Sequence, residues 1–300
     1  MPVDVNRPGP WNHRNLTARG TRFHVALAGP EAPSGSGVLT LLIHGFPECW
    51  WTWRHVIPAL AQAGHRVAAL DLRGFGGSDR PPSGYDLVTL AQDIAAVVRS
   101  LGHERAMVIG AGLGGQVAWA LPHMAPDLTR AIVPVGAPHP LALRSLRSRA
   151  LSGPALQYAS LQIPGLAERR LRSRSALEGL LRSWAGPHTR EAVAEEAPYY
   201  AELLSRPGAA RSALEPLRNL MLSRAETAAL ERPVTAPVLS VQGQLDPVQP
   251  AQAYARDTHH VTGNLHQATI RRSGHFPQEE APAELVRALM PFLADVAPAV

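Results

Sequence analysis

There is no lysine anywhere in these 300 residues, so all 29 basic side chains are arginine. Together with the abundant Ala, Pro and Gly, this marks the codon usage of a GC-rich genome rather than a selected basic surface. The net charge of +5 is modest and scattered. Nucleic-acid binding needs basic residues gathered on one face, and no such stripe is present. A single cysteine, Cys49, excludes an internal disulfide and fits a reducing compartment. No apolar run reaches the length of a membrane span, so membrane insertion is not expected. The first fifteen residues, MPVDVNRPGPWNHRN, carry no hydrophobic signal core, and a cytoplasmic location is the expectation. Neither a metal nor a cofactor is expected.

What is present is an ordinary globular composition, with 45% apolar and 18% charged residues. This length can bury one large core, alone or with an inserted module. The organising stretch is Arg105 to Met124, RAMVIGAGLGGQVAWALPHM. Ala106 to Ile109 is a buried-strand run, four glycines follow (110, 112, 114, 115), and Val117, Ala120, Leu121 and Met124 then recur at helical spacing. A strand, a very tight turn and a helix serve two kinds of chemistry. One is a nucleophile elbow, G-x-nucleophile-x-G, framed by Gly110 and Gly114 with Gly112 at its centre. The other is a dinucleotide turn, G-x-G-x-x-G, spelled by Gly110, Gly112 and Gly115. The second expects an acidic residue at the end of the following strand, and Ala131 to Gly136 has none, so it stands as a minor alternative.

The flanking chain alternates strand and helix. Strands are predicted at 21–28, 38–43, 67–70 and 131–135, with helices at 53–63 and 87–101. From Pro140 to about Glu231 the pattern is helical and arginine-rich. Strands then return at 238–241 and near 267–270, with helices near 250–256 and at 282–296. The expectation is an α/β fold with a mostly parallel eight-stranded sheet and helices on both faces. Its organisation reads as a loosely held N-terminal arm (1–20), a core (21–138 and 232–300) and an inserted helical cap (139–231). The arginines at 144, 147, 149, 169, 170, 172 and 174 read as solvated cap surface, with an anionic partner or a membrane face the lesser alternative.

With these segments assembled, the chain resembles the α/β-hydrolase fold, and within it the epoxide-hydrolase and haloalkane-dehalogenase branch. HGFPE (44–48) is similar to the branch's oxyanion loop, DLRGFGGSD (71–79) to its arginine-glycine turn, and GAPHP (136–140) to its entry into the cap. GQLD (243–246) is similar to the catalytic-acid loop and GHFPQE (274–279) to the catalytic-histidine loop. The resemblance implies Asp246 as acid, His275 as base, and the backbone N–H groups of Phe46 and Leu113 as oxyanion donors. In epoxide hydrolases of this kind an elbow aspartate attacks the substrate carbon, and the histidine then activates water against the ester intermediate. Here that position falls on Gly112, with Ala111 where the family often has histidine. No Ser, Cys, Asp or Glu lies between Arg105 and Trp119. The family's paired cap tyrosines are not reproduced either: LQIPGLAE (161–168) places Gln157 at the first, with Tyr158 one position off, and ALEPLRN (213–219) offers Leu217 at the second.

The expected function is therefore that of an epoxide-hydrolase-like protein without its nucleophile, holding a small, mostly apolar ligand between core and cap. Pro47, Glu48, Trp51, Gln157, Tyr158 and Leu217 are the candidate ligand contacts. The alternative is direct water activation by the Asp246–His275 pair on an ester- or epoxide-like substrate. Cys49 has no histidine placed to activate it and reads as a packing residue. A monomer or homodimer is expected.

Overall fold

The computed structural model describes residues 4–31, 38–144, 159–218 and 222–297. Eight strands form one sheet in the order β1-β2-β4-β3-β5-β6-β7-β8. These are β1 (Asn12–Ala18), β2 (Thr21–Ala28), β3 (Leu39–Ile43), β4 (Arg66–Leu70), β5 (Ala106–Ala111), β6 (Thr129–Val135), β7 (Val238–Gly243) and β8 (Leu265–Ile270). The pairs β1–β2 and β2–β4 are antiparallel, and every other pair is parallel. Unbroken apolar runs make the central strands because both faces are covered: all five residues of β3 and all six of β5 are buried.

The helices of the core are α1 (Ile57–Gln62), α2 (Leu87–Ser100) and α3 (Leu113–Met124). Asp86 caps α2, its carboxylate accepting from the Thr89 N–H at 2.9 Å. Between β6 and β7 the regular elements of the described chain are helices, apart from an isolated bridge at Val234: α4 (Pro140–Arg144), α5 (Leu166–Leu171), α6 (Arg174–Trp184), α7 (Arg190–Ala194), α8 (Ala197–Leu204), α9 (Ala209–Arg218) and α10 (Arg224–Leu230). After β7 come α11 (Ala251–Ala255), α12 (Pro277–Glu280) and α13 (Pro282–Val296). Among the described residues no helix is long and apolar enough to cross a membrane.

The residues expected to form a loose arm do not behave as one. From Asn12 onward they are β1, the sheet's edge strand, because their alternation pairs with β2 in continuous register from Asn12–Leu27 to Ala18–Thr21. Pro and Gly of residues 1–18 are confined to the stretch before it. That stretch is also held. Trp11 packs edge-on against Trp50 at 5.3 Å, and Arg7 lies 4.1 Å over the ring of Trp51 and 4.5 Å over that of Tyr199. His13 Nε2 reaches the Arg7 carbonyl at 2.9 Å, and its Nδ1 meets His24 Nε2 at 3.0 Å.

The glycines of the central turn serve close packing. A Cβ on Gly110 would sit 2.2 Å from the Gly114 carbonyl oxygen, and one on Gly114 only 2.4 Å from that of Ile43. Helix α3 therefore rides directly on β5 and the end of β3. Gly114→Ala is expected to lower stability by about 2 kcal/mol or more in a urea melt. An unchanged midpoint would refute this tight-contact explanation.

Candidate active site

Gly112 occupies the turn between β5 and α3 with φ +48° and ψ −110°, a region that residues with a side chain rarely enter. Unlike its neighbours, it faces open space. A Cβ there would meet only His275 Nε2, at 3.4 Å, and Gly45 Cα, at 3.7 Å. Any side chain at this position would thus point at the imidazole.

His275 lies on the loop after β8, and Asp246 on the loop after β7. The His275 Nδ1–H donates to Asp246 Oδ2 at 2.9 Å, while the N–H groups of Val248 and Gln249 donate to Oδ1 at 2.7 and 3.1 Å. The carboxylate is thereby fixed from both sides, and the ring is fixed by the carboxylate. Burial pushes the imidazole toward neutrality. The adjacent Asp246 charge and hydrogen bond, with Glu280 further off, outweigh it and raise the pKa of His275 above the ordinary value. Trp184, the last residue of α6, stands edge-on to the ring at 5.5 Å, and its carbonyl accepts the His275 N–H at 2.9 Å. His275 Nε2 has no hydrogen-bond partner among the described residues, and neither do the backbone N–H groups of Phe46 and Leu113.

Behind Gly45 lies a buried acid cluster that sequence reasoning missed apart from Glu48. Glu48 Oε1 accepts from the Thr52 hydroxyl at 2.6 Å and from Gln278 Nε2 at 3.2 Å. Burial, and then repulsion from Glu279, push its pKa up to about 8, so the group is neutral at pH 7. Glu279 is raised to about 7, first by burial, although Arg54 donates to it at 2.6 Å. Tyr200 also reaches Glu279, at 3.4 Å. No local pattern announces the cluster, because Glu48, Thr52 and Arg54 lie more than 200 residues from Gln278 and Glu279 in the chain.

The remaining candidates fall as follows. Pro47 and Glu48 border a small cavity with Phe75, Tyr200 and Leu203, where core loops meet the helical segment. Trp51 is held by Arg7, by the Tyr199 ring and by Glu196, which accepts its Nε1–H at 3.0 Å. Leu217 is buried in α9, and Gln162 donates to its carbonyl at 3.3 Å. Gln157 and Tyr158 lie outside the described residues. So do Arg147 and Arg149, whereas Arg169, Arg170, Arg172 and Arg174 are exposed. Cys49 is buried, and burial and Asp71 keep its thiol protonated.

A family model described as the alpha/beta hydrolase fold matches residues 40–282. Epoxide hydrolase B of Mycobacterium tuberculosis is 44% identical over 128 residues, an alignment spanning 42% of this chain and only 35% of that protein's length. Epoxide hydrolase A of the same organism is 30% identical over 95% of this chain and 98% of its own. The crystal structure of Cfl2 from Burkholderia cenocepacia superposes with a TM-score of 0.82 at 30% identity, covering 94% of this chain and 96% of that one. The chain belongs to the α/β-hydrolase family, on its epoxide-hydrolase-like branch.

Proposed function

We propose that this chain is a catalytically degenerate member of that branch. It binds a small, mostly apolar molecule between the core and a helical cap at residues 139–231, without covalent catalysis. One observation carries the reading: position 112 aims at His275 Nε2 and is occupied by glycine. In this reading Asp246 and His275 are the retained acid and base, and Phe46 and Leu113 supply the oxyanion donors. Pro47, Glu48, Trp51, Gln157, Tyr158 and Leu217 are ligand contacts. Close packing of β5 against α3 accounts for Gly110, Gly114 and Gly115 without a dinucleotide.

A second reading follows from the unpartnered His275 Nε2. A water at that nitrogen could be deprotonated and attack an ester or epoxide directly, with Asp246 stabilising the imidazolium. Wild type and His275→Ala separate the two when assayed on styrene oxide and p-nitrophenyl butyrate. Equal residual turnover supports binding alone. A fall of about 100-fold in the variant would establish water activation.

A further inference from the structure

Resting on the ligand-binding reading above, we propose that the molecule held here is a monocarboxylate with an apolar tail. Its carboxylate sits in front of Gly112, accepting from His275 Nε2–H and from the N–H groups of Phe46 and Leu113.

The donor set makes the case. His275 is 6% exposed, and its Nδ1 is committed to Asp246 at 2.9 Å. Its Nε2 is left without a partner among the described residues, aimed at the space where a residue-112 side chain would begin, 3.4 Å away. Leu113 opens a twelve-residue helix whose positive end faces the same space. With the ring protonated, its Nε2–H joins the Phe46 and Leu113 N–H groups, which have no partner among the described residues, as a set of three donors. A neutral alcohol or ether would leave a donor unmatched. A carboxylate has lone pairs for all three, and two of its oxygens can divide them.

The surrounding charges leave room for an anion. Asp246 is paired with the imidazole itself. The Glu280 carboxylate accepts from the N–H groups of Gly186, Gly274 and Phe276 and from the Thr189 hydroxyl. Glu48 is protonated at neutral pH, and Glu279 is paired with Arg54. In relatives with an elbow carboxylate, that group would supply the negative charge beside the histidine; here a ligand supplies it. Trp184, the last residue of α6, stands 6.2 Å from Phe46 and 5.5 Å from His275 between ring centres and offers the tail an apolar surface on the helical segment.

Isothermal titration of the full chain at pH 6.5 tests this with hexanoate, octanoate and phenylacetate, each against its primary amide and alcohol. The expected result is that a carboxylate binds at least about tenfold tighter than its neutral counterparts. His275→Gln should remove that preference, and Gly112→Leu should block carboxylate and amide alike. Equal affinity for carboxylate and amide would overturn the carboxylate assignment and leave the ligand-binding reading standing. Carboxylate binding that survives both variants would place the anion elsewhere and overturn the proposal. No binding by any compound, charged or neutral, would count against both readings. Should Gly112→Leu fail to fold, His275→Gln decides alone.

Discussion

Replacing Gly112 with aspartate is expected to raise epoxide turnover above that of the wild-type chain, and replacing it with serine to do the same for aryl esters. The geometry leaves little else to supply. A Cβ at this position stands 3.4 Å from His275 Nε2, an ordinary contact, with no backbone atom nearer than Gly45 Cα at 3.7 Å. The His275 imidazole is already oriented by Asp246, and the Phe46 and Leu113 N–H groups are unengaged among the described residues. Loss of a covalent nucleophile costs several orders of magnitude, so the gain should be on the order of 10³-fold where the rest of the site is intact. The positive φ of 48° at residue 112 will strain any side chain there. A stability loss of about 1–3 kcal/mol should accompany the gain. Steady-state assays together with thermal melts check both halves. Two folded variants with no turnover above wild type would mean that the machinery around Gly112 has been lost as well.

The second large effect concerns stability. Glu48→Gln is expected to abolish a pH dependence that the wild type carries. Glu48 titrates near 8 in the folded chain against an ordinary value of 4.5, because it is buried and faces Glu279. The folded state therefore holds a proton that the unfolded chain releases. Stability from this group is complete below pH 4.5 and is lost as pH rises through about 8. At about 1.4 kcal/mol per unit, the loss amounts to several kcal/mol. Glutamine has no proton to lose, and its amide can pair with Gln278, whose Oε1 is buried without a partner among the described residues. The melting-temperature difference, variant minus wild type, should grow by about 5 °C or more between pH 5 and pH 9. A constant difference across that range would show that Glu48 is ionised in the fold.

Much of this arrangement was legible in the sequence because it is local. Thr21–Ala28 and Pro282–Val296 form their elements at the bounds that pattern alone suggests. The closing histidine and its acid, resembling known loops, do meet at 2.9 Å. Boundaries slipped where glycine blurs periodicity: α3 begins at Leu113, four residues before Val117, the first of the apolar residues at helical spacing, because Gly114 and Gly115 belong to its first turn. The edge strand β1 was hidden for a different reason. Half-exposed alternation is weak, and its anchors, Trp50 and His24, are supplied by other elements. The Glu48 environment was illegible altogether. Thr52, Gln278, Glu279 and Arg54 converge only when the oxyanion loop and the histidine loop meet, and no spacing in the chain announces that encounter.

The central claim is that the elbow offers no attacking atom. Intact-protein mass spectrometry of the wild type during incubation with styrene oxide and with p-nitrophenyl butyrate tests it most directly. The account predicts an unchanged mass at every time point. A stoichiometric adduct, mapped by peptide sequencing to a residue beside His275 and discharged by water, would contradict it.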